Sequence, residues 1–306
     1  MKYMNSKETS DKWGISDRRI RVLCEAGRIE GAMKIGRNWS IPLDATKPLD
    51  AREVYRENYI GLEYDFRNID EIKEQIDRCR PFSSGLADSL REKLIVEWTY
   101  NSNAIEGNTL TLSETRVVLE GLTIGGKNIR EHLEALNHRE AIFFLEALIA
   151  GKESLNEWNI RNIHSLILKG IDGSNAGKYR SENVVISGAV HIPPKHYEVA
   201  NLMQRLIAEF TDEWRKYHPI IRATLLHGEF VKIHPFIDGN GRTSRMLMNF
   251  ELMRNGYPPV IIKKEDRARY FDALDLAHTS MNYGPFLEMV AGLVDESERL
   301  WLSLLE

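Results

Sequence analysis

A run of twelve residues from His234 to Arg245 holds most of the side chains in this sequence that could do chemistry. It reads His-Pro-Phe-Ile-Asp-Gly-Asn-Gly-Arg-Thr-Ser-Arg. His234 titrates near neutral pH and could take a proton from an attacking hydroxyl group. Asp238 supplies a hard oxygen ligand of the kind Mg²⁺ prefers, since this ion binds through one or two carboxylates together with phosphate oxygens. These residue types indicate a site that handles phosphate.

The glycines and arginines of the same run favour an anionic ligand. Gly239 and Gly241 allow the backbone a positive φ and a close approach to a ligand. They come just before a predicted helix, whose first amide N–H groups form a natural phosphate site. Arg242 and Arg245 lie in its first turn, where the helix dipole disfavours positive charge, so we expect a polyphosphate there. The alternative is a capped turn with surface arginines and a core histidine.

Two helices are predicted to hold this run in place. Pro219 can begin the first helix, and apolar residues follow it at helical spacing as far as Ile233. A second apolar stripe begins at Met246 and ends where Asn255-Gly256 stop the helix. The run is therefore expected to form the loop of a helix–loop–helix elbow.

The run resembles the signature of the Fic family, most of whose members transfer AMP from ATP to a protein hydroxyl group (AMPylation). The matching positions are His234, Phe236, Asp238, Gly239, Asn240, Gly241, Arg242 and Arg245. The resemblance implies a mainly α-helical Fic fold with a small β-hairpin flap, with ATP and Mg²⁺ as ligands. It makes His234 the general base and Asp238 the Mg²⁺ ligand. The implied phosphate-binding residues are Gly239, Asn240, Gly241, Arg242 and Arg245.

A second motif lies in residues 98–109. Ser102 and Glu106 are one helical turn apart, and Gly107-Asn108 can end the helix. Taken alone, Glu106 would be a solvated charge near a helix end. Beside the signature, the segment resembles the inhibitory motif that some Fic proteins carry ahead of the catalytic core. That resemblance implies that Glu106 pairs with Arg245 and occupies the γ-phosphate site.

Residues 184–194 contain two β-branched runs about the turn Ser187-Gly188, which predicts an isolated β-hairpin. A lone hairpin is marginally stable and must pack on something. The resemblance makes it a flap over the active site that aligns the target segment by strand addition. The aligning residues would be Val185, Ile186, Ser187 and Gly188. A loop decoration is the alternative interpretation.

Residues 1–50 have the pattern of a separate small domain. Ser6 can cap a helix that ends at Trp13, and a second helix is predicted from Asp17 to Ala26. Residues 28–42 then predict a β-hairpin wing. The layout resembles the winged helix-turn-helix of excisionase and MerR proteins. Residues 51–306 would form the Fic domain.

Basic residues outnumber acidic ones in this first segment, with ten Lys or Arg against seven Asp or Glu in residues 1–50. The predicted contacts to double-stranded DNA are Arg18, Arg19, Arg21 and Arg37. The first three lie on the second helix and the last on the wing, as phosphate contacts would require. A protein-binding module is the alternative.

The composition of the whole chain limits other functions. A net charge of −4 over 306 residues gives no general attraction to nucleic acid or an anionic membrane. Cys24 and Cys79 cannot form a disulfide framework, which favours the reducing cytoplasm. The most apolar run, 141–150, is broken by Glu146 and too short to span a bilayer, so no membrane partner and no export are expected. The histidines show no His-Glu-x-x-His spacing, so no zinc is expected.

With the resemblance to the Fic family, these features predict a protein adenylyltransferase, which is a nucleotidyltransferase. It would use ATP and Mg²⁺ to modify a Ser, Thr or Tyr hydroxyl of a target protein. Glu106 would restrain the reaction. De-AMPylation by the same site stays open, because the Glu106 carboxylate could orient a water molecule. Kinase or phosphocholine transfer belongs to relatives with altered glycines, and the intact Gly-Asn-Gly argues against it. A DNA-binding regulator that senses nucleotide through a slow Fic domain is a further alternative. The target protein and any homo-oligomer are undetermined by the sequence.

Overall fold

The computed structural model describes residues 3–25, 29, 31–36, 38–47 and 59–305. The chain divides into two units, Met1–Asn58 and Tyr59–Glu306. The predicted domain boundary between residues 50 and 51 lies outside the described residues, as does the wing residue Arg37.

The first unit contains two helices and a three-stranded sheet among its described residues. These elements are β1 (Tyr3–Asn5), α1 (Ser6–Trp13), α2 (Asp17–Glu25), β2 (Met33–Ile35) and β3 (Asn38–Pro42). The strand order is β1-β3-β2, with both pairs antiparallel. The prediction that Ser6 caps α1 is wrong, because Asn5 accepts the N–H groups of Lys7 and Glu8 and shares a capping box with Glu8. Strand β1 was not predicted, since its three residues carry no alternation that sequence could reveal.

The second unit is built almost entirely of helices. They are α3 (Arg67–Arg78), α4 (Ser84–Ile105), α5 (Leu112–Leu119), α6 (Ile129–Ala150), α7 (Glu157–Ile167), α8 (Val199–Thr211), α9 (Pro219–Ile233), α10 (Asn240–Arg254), α11 (Arg267–Ser280) and α12 (Gly284–Leu305). Short 3-10 helices lie at His196–Glu198, Glu213–Lys216 and Lys264–Asp266. The two helices predicted around the signature run are confirmed as α9 and α10. In the described parts of the chain, no helix combines the length and the hydrophobicity needed to cross a bilayer.

Helix α10 lies at the centre of the second unit. Its apolar side chains Met246, Leu247, Met248, Phe250 and Leu252 are completely buried. It packs against α9, α6 and α7. Because each fully buried side chain of this size contributes about 1.5–3 kcal/mol to folding, the helix is held firmly in place. The signature run therefore leads directly into a helix in the core of the unit.

The β-hairpin predicted for residues 184–194 is not formed. The segment makes a turn at Ser187-Gly188, and neither of its two arms is a strand. The N–H groups of Val190 and His191 instead donate to the carboxylate of Asp275 on α11. The side chains that would stabilise a hairpin do not pack against the rest of the unit, since Val185 is 85% exposed and Val190 75% exposed. Two short strands without a packed face are marginal in water, which explains the difference.

Candidate active site

His234 is held at the junction between α9 and the signature loop. It is the C-cap of α9 with a left-handed backbone (φ +50°), and its N–H donates to the Phe230 carbonyl at 3.1 Å. This conformation costs a residue with a side chain about 1–2 kcal/mol. Arg180 compensates by donating its Nε to the His234 carbonyl at 2.8 Å and its backbone N–H to the Pro235 carbonyl at 2.9 Å. The backbone that carries the imidazole is therefore fixed from two sides.

The imidazole of His234 is uncharged at neutral pH. Burial lowers the pKa of His234 to about 4, and the positive charge of Arg180 adds to the shift. A neutral imidazole is the form that can accept a proton.

The signature loop is closed by Asn240 and by His164 of α7. Asn240 accepts the Phe236 N–H at 3.0 Å and donates to the Phe236 carbonyl at 2.9 Å, so both ends of its amide are used. The ring of Phe236 is completely buried and stacks on the His164 ring at 3.6 Å. His164 Nε2 donates to the Asp238 carbonyl at 2.8 Å, and its Nδ1 accepts the Gly177 N–H at 2.9 Å. These partners fix a neutral tautomer with the proton on Nε2.

The first turn of α10 has the geometry of an anion site. Gly239 precedes the helix with φ +77°, and no side chain caps the helix. The first N–H groups of a helix have no partner inside it, and they attract negative charge. At Gly241, a Cβ atom would lie 2.2 Å from Glu106 Oε1 and 3.1 Å from Arg245 Nη1. Glycine is thus required at Gly241 for an anionic group to reach the helix.

Both signature arginines are buried, each with 2% of its surface exposed. Among the described residues, Nε and Nη1 of Arg242 and Nη1 of Arg245 have no hydrogen-bond partner, although Arg242 Nη1 lies 3.5 Å from Glu134. The remaining donors of Arg245 go to α4, with Nε to the Ser102 hydroxyl (3.0 Å) and Nη2 to the Ser102 carbonyl (2.7 Å). Nη2 also reaches Glu106 Oε1 at 2.8 Å, the contact that the resemblance predicts. Buried donors without partners indicate an anionic ligand.

Asp238 is surrounded by positive groups. One carboxylate oxygen accepts the Gly239 N–H at 2.6 Å and lies 3.4 Å from Arg242, while the other accepts Arg130 Nη2 at 2.7 Å. Burial raises the pKa of Asp238, but Arg242, the Gly239 N–H and Arg130 outweigh it and lower that pKa overall. Within the described ranges, no group of three or more His, Cys, Asp or Glu side chains forms a metal cage. A metal at Asp238 would take its other ligands from phosphate or water.

The structure brings most of the predicted site residues together at the elbow. These residues are Ser102, Glu106, His234, Asp238, Gly239, Asn240, Gly241, Arg242 and Arg245. Asn240 differs from its prediction in one respect, because its side chain closes the loop and only its backbone N–H can face a phosphate. The segment that holds Val185, Ile186, Ser187 and Gly188 is tied to the site through Pro194, whose carbonyl accepts Arg180 Nη2 at 2.5 Å. The arginines Arg18, Arg19 and Arg21 are exposed on α2 in the other unit.

Sequence reasoning missed three residues that shape this site. Arg180 is 54 residues from His234, while His164 and Arg130 are 74 and 108 residues from Asp238. No local spacing connects residues this far apart, so only the tertiary packing around the signature loop could show them.

Comparison with known proteins gives a consistent result. A model of the Fic/DOC family matches residues 154–252. The chain is 37% identical over 237 residues to the protein adenylyltransferase Fic of Drosophila virilis, covering 77% of this chain and 48% of that protein. The Drosophila melanogaster protein of the same name is 38% identical over 242 residues, with coverage of 78% and 49%. The chain therefore spans about half the length of the curated relatives it matches.

Solved structures resemble most of the chain. A Fic-1 fragment from C. elegans has a TM-score of 0.71 and 31% identity, covering 78% of this chain and 71% of the fragment. A Fic-domain-containing signalling protein from Bacteroides thetaiotaomicron has a TM-score of 0.72 and 29% identity, with coverage of 78% and 96%. The chain belongs to the Fic family, with a mainly helical Fic fold.

The clash at Gly241 gives a stability test of the Glu106–Arg245 contact. Gly241→Ala should displace the Glu106 carboxylate and destabilise the parent by about 1 kcal/mol, a figure discounted because 35% of the Glu106 side chain is exposed. In a Glu106→Gly background the same alanine should be neutral or slightly stabilising, because alanine is the better helix former. Urea unfolding of the four variants measures the coupling. Equal effects of Gly241→Ala in both backgrounds would contradict the contact.

Proposed function

We propose that this protein is an adenylyltransferase that transfers AMP from ATP to a Ser, Thr or Tyr hydroxyl of a target protein. The observation that carries the proposal is the pair of buried arginines with unpartnered donors, beside a neutral His234 and the carboxylate of Asp238. The relatives named protein adenylyltransferase support the same assignment.

ATP fits the residues at the start of α10. The uncapped helix N-terminus and the lack of a side chain at Gly241 suit a polyphosphate, once Glu106 has left this space. The free donors of Arg242 and Arg245 would neutralise its β- and γ-phosphates. Asp238 would hold Mg²⁺, which when bound neutralises phosphate charge and orients the leaving group.

The transfer itself asks the protein for a base and for fixed positive charge. The target hydroxyl oxygen forms a bond to the α-phosphorus, and the bond from that phosphorus to the oxygen bridging the β-phosphate breaks. His234 takes the hydroxyl proton, and pyrophosphate leaves with the electron pair of the broken bond. Arg242 and Arg245 then face the growing negative charge of the leaving group without having to move.

Glu106 is proposed to restrain this reaction. Its carboxylate lies on Arg245 and within the space that a Cβ at Gly241 would fill. A γ-phosphate and this carboxylate would compete for the same guanidinium. The hydrogen bond from Arg245 to Glu106 would be replaced by one from Arg245 to the phosphate, so the restraint is reversible.

His234→Ala is expected to lower AMP transfer about 10²- to 10⁴-fold while leaving nucleotide binding intact, because it removes the base and no phosphate contact. The measurement follows label from ATP carrying ³²P at the α-phosphate, with γ-labelled ATP in parallel. Only the α-label should enter protein. His196→Ala is the matched control, since this half-buried histidine lies in the 3-10 helix before α8 and bonds to Asn183 rather than to the signature loop. Equal rates for His234→Ala and the parent, or entry of the γ-label, would contradict the assignment.

The rate of transfer should not fall near neutral pH through protonation of His234. Because the pKa of His234 is lowered to about 4, the imidazole stays neutral from pH 8 down to about 5. The rate constant kcat/KM should therefore fall only as the pH drops toward 4, where protonation removes the base. A half-maximal rate near pH 6.5 would show that the base titrates as an ordinary exposed histidine.

Glu106→Gly is expected to raise AMP transfer, including self-modification, by about tenfold. This is the lower end for one charge-assisted hydrogen bond, because the carboxylate is 35% exposed. Glu120→Gly is a close control, since Glu120 also follows the last residue of a helix, precedes a glycine and pairs with a different arginine. No increase in Glu106→Gly would end the restraint hypothesis. If the parent differed from Glu106→Gly only by removing AMP faster from modified protein, de-AMPylation would become the better assignment.

For the first unit we propose a winged helix-turn-helix that binds double-stranded DNA. Support comes from the two helices followed by the antiparallel pair β2–β3, and from the exposed arginines of α2. The unit would then bring the transferase to DNA or respond to DNA.

DNA binding by the whole chain should weaken steeply as salt rises, with a log–log slope of roughly 0.9 per phosphate contact. Charge reversal of Arg18 and Arg19 should reduce the affinity and the slope, measured by fluorescence anisotropy with a labelled duplex. Reversal of Lys7 and Lys12 on α1 makes the same change of charge on the other helix and should have a smaller effect. Equal effects of both pairs would favour non-specific attraction, and no binding at all would favour a protein partner.

A further inference from the structure

The Asp238 carboxylate already carries a cation supplied by the chain itself. Arg130, the second residue of α6, places Nη2 2.7 Å from Asp238 Oδ2. The other oxygen, Oδ1, is occupied by the Gly239 N–H at 2.6 Å. Oδ2 is therefore the oxygen that remains for a metal ion, and Arg130 sits on it.

Arg130 has a second acidic partner, Glu134, and can therefore leave Asp238 while its positive charge stays paired. Its Nε donates to Glu134 Oε1 at 3.0 Å, one helical turn along α6. Glu134 is itself fixed, because its other oxygen accepts Asn108 Nδ2 at 2.9 Å. Arg130 is 55% exposed and Glu134 only 12%, so the guanidinium can swing toward water while its Nε stays paired.

A divalent cation and Arg130 are competitors for Asp238. The guanidinium blocks Oδ2 sterically, and its positive charge opposes the approach of another cation. The Asp238 side chain is 43% exposed, so solvent weakens its attraction to Arg130. A divalent ion can therefore displace the guanidinium.

We propose that Arg130 is a resident counter-ion of Asp238 that a divalent metal must displace, so that Arg130 sets the metal affinity of the site. The inference rests on the proposed function, because it concerns the metal that accompanies the nucleotide. The resting site is thus closed twice by the chain's own charges: Glu106 takes the place of an anion on Arg245, and Arg130 takes the place of a cation on Asp238. A metal–nucleotide complex would supply the phosphate that replaces Glu106 and the cation that replaces Arg130.

The test is the affinity of the full chain for Mn²⁺ in the presence of ADP, with protein in excess over ADP. ADP lacks the γ-phosphate, so its binding does not require Glu106 to leave Arg245. Free Mn²⁺ is measured by electron paramagnetic resonance for the parent, Arg130→Gln and Arg130→Lys. Arg130→Gln should bind Mn²⁺ about 1.5- to 5-fold more tightly, the range expected for a half-exposed ion pair. Arg130→Lys keeps the charge and should stay close to the parent.

Two controls show whether the effect acts through Asp238. Arg116→Gln removes an exposed helical arginine that pairs with Glu120, and it should leave the Mn²⁺ affinity unchanged. In an Asp238→Asn background, Arg130→Gln should no longer raise the affinity. Equal Mn²⁺ affinities of parent and Arg130→Gln would overturn the inference, as would weaker binding in Arg130→Gln.

Failure of the inference can be separated from failure of the proposed function. Calorimetry of ADP binding without metal reports on the nucleotide site alone. ADP binding together with equal Mn²⁺ affinities overturns only the role of Arg130. No ADP binding in any variant would overturn the proposed function, and the role of Arg130 with it.

Discussion

The buried guanidinium of Arg245 is the constraint on which the rest of the site depends. A charge with 2% exposure is costly unless it is paired and hydrogen-bonded, so an anionic partner stabilises this residue. In the resting chain α4 provides it, through Ser102 and Glu106. That need brings the C-terminal end of α4 against the first turn of α10. If Glu106 restrains the site as proposed, exchange of one anion for another would be the least costly way to open it.

A second constraint is the fixed backbone of the signature loop. The carbonyl groups of four loop residues each accept a hydrogen bond: His234 and Pro235 from Arg180, Phe236 from Asn240, and Asp238 from His164. Burial lowers the pKa of His164 to about 4, which keeps the donor–acceptor pattern of its ring constant at neutral pH. The loop is thus organised before any ligand arrives, as charge stabilisation in a transfer reaction requires.

The parts that sequence could predict are those encoded locally. Pro219, the apolar spacing of α9 and α10 and the Asn255-Gly256 stop predict the elbow, and the signature run predicts its chemistry. The contact between Glu106 and Arg245 came only through resemblance, because 139 residues separate them. Residues 184–194 show the opposite case. Their β-branched pattern is real, yet Asp275 takes the N–H groups that a hairpin would use, and local propensity loses to a tertiary partner.

If Glu106 and a γ-phosphate share Arg245, a nucleotide with a γ-phosphate and one without it should respond differently to the loss of Glu106. Calorimetry would give the affinities of α,β-methylene-ATP and ADP for the parent and for Glu106→Gly. Glu106→Gly should bind the triphosphate about tenfold more tightly than the parent and ADP with nearly unchanged affinity, because only the triphosphate reaches Arg245. An equal gain for both nucleotides, or no gain for the triphosphate, would contradict it.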